Sequence, residues 1–191
     1  MSSLTKAAHR AVGQFLRTGD FAVDLTAGNG GDTLFLASCV QPEGRVHAFD
    51  IQQAALSSTG RRLQDHQLLD YATLHHRSHA DWLLALPAED LPRVRAVMIN
   101  LGYLPGGDHS MITTPESTLA ALRQVIAHLS GHCLLTIIAY TGHPGGMEEY
   151  RAVADWLESQ RPRFDRFEQW PAIFQPGQPV LFILEWNQVS R

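Results

Sequence analysis

At 191 residues, 45% of them hydrophobic, the chain can bury one substantial core with little room for two, so a single domain over 1–191 is expected. A net charge of −4, with Lys6 the only lysine, excludes a global basic field, so any nucleic-acid contact must be local and built on arginine. No apolar run approaches the roughly 20 residues of a membrane-spanning helix, the opening Met1-Ser2-Ser3-Leu4-Thr5 lacks the layout of a secretory leader, and Cys39 and Cys133 sit singly in apolar stretches, so a cytoplasmic chain without membrane contact, disulfide or metal site is expected.

Apolar clusters rich in valine, isoleucine and phenylalanine alternate with segments of helical period, the pattern of an α/β fold with a largely parallel sheet. In chain order the pattern predicts a helix over Lys6–Leu16, a strand over Phe21–Leu25, a helix over Asp32–Ser38 and a strand over Val46–Phe49. A helix over Gln52–Asp65, a strand over Ala72–His75, a helix over Asp81–Leu86 and a strand over Ala96–Asn100 follow. Next come a helix over Pro115–Leu129, entered through Thr114 as cap with proline at the first position, a strand over Cys133–Ala139 and a helix over Met147–Ser159. The last two strands, Phe164–Gln169 and Val180–Glu185, are joined through Gln175-Pro176-Gly177-Gln178 without a helix, so they must pair as an antiparallel hairpin. A dinucleotide-binding domain normally continues instead with a further helix and parallel strand.

The first strand runs into Asp24-Leu25-Thr26-Ala27-Gly28-Asn29-Gly30-Gly31-Asp32-Thr33. Gly28 and Gly30 let the backbone approach a ligand and adopt positive φ. Thr33 stands where the dinucleotide fingerprint needs its last glycine, so that fingerprint fails. Asp50 closes the next strand, where a carboxylate can accept both hydroxyl hydrogens of a ribose. After the third strand, Arg77-Ser78-His79-Ala80-Asp81 is either the site of a base contact or a plain helix entry, with Ser78 or Asp81 as cap and His79 a surface histidine.

The fourth strand ends in Asn100-Leu101-Gly102-Tyr103-Leu104-Pro105-Gly106-Gly107, at the same carboxyl edge of the sheet as the glycine turn. These residues resemble the Asn-Pro-Pro-Tyr motifs of amino methyltransferases, with Leu101 and Gly102 in place of the prolines. There the asparagine and a neighbouring carbonyl accept hydrogen bonds from the target NH2, and the aromatic ring packs on the substrate. After the fifth strand, Tyr140-Thr141-Gly142-His143 reaches the same edge, and His143 is a candidate substrate contact or proton acceptor, or a plain loop histidine. Glu148 and Glu149 open a helix, where negative charge is favourable without any catalytic role.

Together, Asp24-x-Thr26-x-Gly28-Asn29-Gly30-x-Asp32-Thr33, Asn100 to Asp108 and Tyr140-x-Gly142-His143-x-Gly145-Gly146 resemble the bacterial YtqB/MnmM family over nearly the whole chain. The first motif marks only an S-adenosylmethionine (SAM) enzyme; the three in combination are specific. The resemblance implies a Rossmann-like class I methyltransferase fold: a seven-stranded, mostly parallel sheet with a C-terminal antiparallel hairpin and helices on both faces. It implies SAM as cofactor, held by Asp24, Thr26, Gly28, Asn29, Gly30, Asp32, Thr33, Asp50, Ile51, Gln52, Ser78, His79, Asn100, Leu101 and Gly102. Asn100, Tyr103 and His143 would be catalytic, and Tyr103, Leu104, Pro105, Tyr140 and His143 would meet the substrate. The implied activity is N-methylation of 5-aminomethyl-2-thiouridine at the tRNA wobble position, with the anticodon loop as partner and a homodimer left open. Candidate phosphate contacts are Lys6, Arg10, Arg151, Arg161, Arg163 and Arg166. Methylation of rRNA or of a small-molecule amine would use the same cofactor loop, and a SAM-binding partner without turnover is disfavoured by Asn100 and Tyr103.

Overall fold

The computed structural model describes residues 2–102, 104, 106 and 111–188, so the readings made on Tyr103, Pro105, Gly107 and Asp108 lie outside the described residues. Strands β1 (Phe21–Asp24), β2 (Arg45–Asp50), β3 (Ala72–His76), β4 (Val94–Leu101), β5 (Gly131–Ala139), β6 (Arg166–Trp170) and β7 (Val180–Gln188) form one seven-stranded sheet in the order β3-β2-β1-β4-β5-β7-β6. All pairings are parallel except those of β7, which runs antiparallel to both β5 and β6. The expected closing hairpin is therefore present, with β7 inserted between β5 and β6.

Among the described residues six helices flank the sheet: α1 (Ser3–Phe15), α2 (Gly31–Val40), α3 (Gln53–Asp65), α4 (Trp82–Ala85), α5 (Pro115–His128) and α6 (Gly146–Gln160). The pleat sends successive side chains to opposite faces. Ala96 and Met98 of β4 pack with Ala8, Val12, Leu36, Val40 and Leu63 of the first three helices. Val97, Ile99 and Leu101 pack with Trp82, Leu122, Val125, Val153 and Leu157 of the last three. Both faces are thus covered, which accounts for the near-continuous apolar runs of the central strands.

The expected cap of α5 is observed as a reciprocal box. Thr114 accepts from the Ser117 N–H, Ser117 accepts from the Thr114 N–H, and Pro115 begins the helix. Elsewhere boundaries shift. The first helix starts at Ser3 because Ser2 caps it by accepting from the Thr5 N–H. The expected helix over Asp81–Leu86 is a 3-10 turn, His79–Asp81, followed by a single helical turn. Phe164 belongs to the end of another 3-10 turn, Arg161–Arg163, and the sixth strand begins only at Arg166. Proline at position 162 favours that turn, because its fixed φ and missing N–H suit a helical start. No helix among the described residues is long and apolar enough to cross a membrane.

Candidate functional site

Strand order reverses between β1 and β4, and the carboxyl edge there opens into a crevice of about 590 Å³. That volume lies within the roughly 300–1,000 Å³ typical of small-molecule sites. Backbone bonds tie its floor together: the Leu25 N–H donates to the Met98 carbonyl (2.9 Å) and the Ala27 N–H to the Phe49 carbonyl (2.8 Å). The Thr26 hydroxyl accepts the Asn100 backbone N–H at 2.7 Å, so the ends of the first and fourth strands are fixed to one another.

The glycine turn carries two kinds of residue. Thr26, Gly28, Asn29 and Asp32 line the crevice. Asp24, Gly30 and Thr33 lie behind it and build the turn. Asp24 is fully buried and accepts the Thr33 hydroxyl (2.6 Å) and the Thr26 N–H (3.1 Å). Burial, followed by the neighbouring Asp32 charge, pushes its carboxyl up to about 7. Gly30 has φ +77° and caps the second helix, and a Cβ there would sit 2.8 Å from the Thr59 Cα. No side chain fits, so this glycine brings the turn against the third helix.

Asp50 lies on the crevice wall with Ile51 and Gln52. Its carboxylate oxygens accept one backbone N–H each, from Gly28 (2.9 Å) and Gln52 (2.8 Å). A carboxylate offers about four acceptor positions, so the group keeps capacity for a ligand's hydroxyls. Ser78 accepts the Ala80 N–H at 3.1 Å and caps its 3-10 turn away from the crevice. His79 does line the crevice. It is 92% buried, burial pushes its imidazole down to about 4, and Nε2 has no hydrogen-bond partner among the described residues.

On the opposite side stand Asn100, Leu101, Gly102, Leu104, Tyr140 and His143. The Asn100 amide nitrogen donates to Asp32 Oδ2 at 2.7 Å. That bond fixes which end of the amide is oxygen and leaves Oδ1 as an acceptor. The Leu101 carbonyl receives the Tyr140 N–H (3.1 Å) and the Gly102 carbonyl the Thr113 N–H (3.0 Å), so both already have one donor. Gly102 has φ +153°, a backbone conformation that L side chains rarely adopt, and lies beside His143 Nε2 and Tyr140. His143 Nδ1 lies 2.9 Å from the Pro144 carbonyl; since a carbonyl only accepts, Nδ1 is the donor of that bond. Burial raises the Tyr140 phenol above its ordinary value, opposed by a hydrogen bond with Thr5.

Several contributors carry no sequence signal. Thr5 on the first helix and Gly177 and Pro179 before the last strand complete the walls, although more than 170 positions separate the first from the last. Glu149, expected only to suit a helix start, is buried and accepts hydroxyls from Thr113 and Thr118, both at 2.6 Å. Thr113 in turn accepts the Gly102 N–H at 2.8 Å, so this acid anchors the loop after the fourth strand. Burial raises its carboxyl above the usual range, and the two threonines oppose that rise.

The family model described as "Putative rRNA methylase" matches residues 46–185. The chain is 37% identical over 174 residues to the chloroplastic tRNA (mnm(5)s(2)U34)-methyltransferase of Arabidopsis thaliana, an alignment covering 80% of this chain and 61% of that protein. The chain thus spans less than two thirds of that relative's length. A crystal structure from Clostridium thermocellum, described as a "putative rRNA-methylase", matches with a TM-score of 0.87 at 36% identity, over 97% of this chain and 98% of that one. SMU.1697c from Streptococcus mutans, a "putative methyltransferase" solved in complex with SAH, matches with a TM-score of 0.83 at 28% identity, over 97% and 98% of the two chains.

Proposed function

The chain belongs to this rRNA-methylase family of class I, SAM-dependent methyltransferases, and from that premise we propose that its acceptor is a primary amine on tRNA. The specific reaction is conversion of 5-aminomethyl-2-thiouridine at the wobble position to 5-methylaminomethyl-2-thiouridine. The observation that carries this reading is the orientation of Asn100. Its NH2 is committed to Asp32 and its oxygen remains as an acceptor in the crevice that holds the glycine turn. The name of the Arabidopsis relative supports the choice of nucleoside.

The crevice suits the cofactor chemically. Asp50 would accept the ribose hydroxyls, the Gly28 turn would let the backbone approach, and the neutral His79 would meet the adenine through Nε2. Asp24, Gly30 and Thr33 would act by shaping the turn and not by contact. When bound, SAM supplies an electrophilic methyl group on a sulfonium.

An alkylammonium has no free lone pair, so the protein must hold the neutral amine. Asn100 Oδ1 would accept one amine hydrogen and aim the nitrogen lone pair along the transfer direction, an orientation effect. His143 Nε2, beside Gly102, would take the proton that the acceptor sheds. Tyr140 and Leu104 would flank the acceptor base, with Tyr103 and Pro105 assigned to the same role by sequence alone. For tRNA, the exposed Lys6 and Arg10 on the first helix and Arg151 on the sixth are the proposed phosphate contacts.

Purified protein with SAM should convert tRNA carrying 5-aminomethyl-2-thiouridine to the methylaminomethyl form, read by nucleoside mass spectrometry, and leave tRNA lacking the aminomethyl group unmodified. Turnover should rise with pH as the ammonium form is depleted. Asn100→Ala should lower kcat by roughly tenfold, the scale of one buried hydrogen bond, while SAH affinity by calorimetry changes by less than about twofold. Equal methylation of both tRNAs would reject the acceptor.

A further inference from the structure

The first helix contributes a side chain to the crevice chemistry that the motifs do not contain. His9 is buried, and its ring stacks on Phe35 of the second helix with centroids 3.9 Å apart and planes 7° from parallel. Its Nε2 lies 2.6 Å from Asp32 Oδ1, and the other oxygen of the same carboxylate receives the Asn100 amide at 2.7 Å. A carboxylate only accepts, so both nitrogens donate to it. His9, Asp32 and Asn100 thus form a continuous chain from the first helix to the amide in the crevice.

We propose that His9 is a positioning residue for methyl transfer, acting through Asp32 to hold the Asn100 amide with its oxygen toward the acceptor amine. The inference rests on the reading of Asn100 given above. An asparagine amide has a broad, nearly two-fold terminal torsion, so its two ends exchange easily unless a neighbour distinguishes them. Asp32 makes that distinction only while its own carboxylate is fixed. It sits in the first turn of the second helix, where backbone N–H groups compete for its oxygens. The His9 N–H directed at Oδ1 opposes that competition, and the stack on Phe35 sets the plane in which it donates.

Three variants separate a donor role from a packing role. His9→Phe keeps a ring for the stack and removes the nitrogen. His9→Gln places a side-chain N–H at the reach of Nε2, and His9→Asn is polar but too short to meet Asp32. The first readout uses the SAH-bound protein and no turnover: water exchange of the Asn100 side-chain NH2 by nitrogen-15 NMR, assigned by its loss in Asn100→Ala. Exchange should quicken by about tenfold in His9→Phe and His9→Asn and stay near the starting value in His9→Gln. The second readout is kinetic, on aminomethyl-bearing tRNA. kcat should fall by about tenfold in the same two variants with KM for tRNA within about twofold, and return in His9→Gln. Unchanged exchange in folded His9→Phe and His9→Asn would overturn the proposal, as would a His9→Gln protein indistinguishable from His9→Phe. Absence of turnover by the unsubstituted protein would reject the amine-on-tRNA reading, while the NMR exchange would still decide the role of His9.

Discussion

Asp24 and Asp50 each close a strand beside the glycine turn, and as sequence the two are equivalent candidates for cofactor contact. Their surroundings differ. Asp50 stands on the crevice wall with two backbone donors, whereas Asp24 is sealed beneath it and holds Thr26 and Thr33. Burial raises the Asp24 carboxyl to about 7 from an ordinary 3.8. The folded state therefore keeps its proton where the unfolded chain has lost it. The stability this group contributes is fully present below about pH 4 and is lost as pH rises through about 7. Asp24→Asn should accordingly flatten the decline of the thermal midpoint across that window, measured by calorimetric scans at several pH values; an unchanged slope would mean that another group sets it. Sequence shows an acid at a strand end but not its depth, because depth depends on the helices laid across it. The same reason hides His9 and Glu149. Each is an ordinary helical residue until the fold brings it to Asp32 or to Thr113 and Thr118.

The strands were legible as elements because both faces of the sheet are covered, which makes the central strands read as unbroken apolar runs. The closing hairpin was legible from the missing helix between two such runs. The 3-10 turns were not, since a three-residue segment offers no period to recognise. Among the connections, the turn from β1 into the second helix is under the tightest steric constraint. Gly30 combines a left-handed φ with a neighbouring Cα that leaves no space for a methyl group. Gly30→Ala should cost about 1–3 kcal/mol of folding stability, the scale of a strained backbone position, and should weaken SAH binding by displacing the turn. Urea denaturation and calorimetry would register the two losses; a fully stable variant with normal affinity would show that the turn can relax.

Among the side chains considered for phosphate contact, two clusters lie at different ends of the sheet. Arg161, Arg163 and Arg166 cluster at the start of the sixth strand, the end of the sheet away from the crevice. Two of them are already engaged: Arg161 with Glu158 and the Phe167 ring, Arg166 with Glu168 and Glu185. Lys6 and Arg10 instead lie exposed on the helix that supplies Thr5 to the crevice. On the tRNA reading, Lys6→Ala with Arg10→Ala should raise KM for tRNA severalfold and reduce the salt dependence of binding by about two phosphate contacts' worth, with SAH affinity unchanged. An Arg161→Ala and Arg163→Ala pair should leave both quantities alone, and the reverse result would move the RNA to the other end of the sheet. The insertion of β7 between β5 and β6 also sets an order of events during translation. Among the described residues the sixth strand pairs with the seventh alone, so it has no native partner until Val180 and the residues after it have emerged. Because Gly177 and Pro179 wall the crevice as well, a nascent chain completes that wall only once the residues just before the seventh strand have emerged, and a chain stalled earlier lacks part of it.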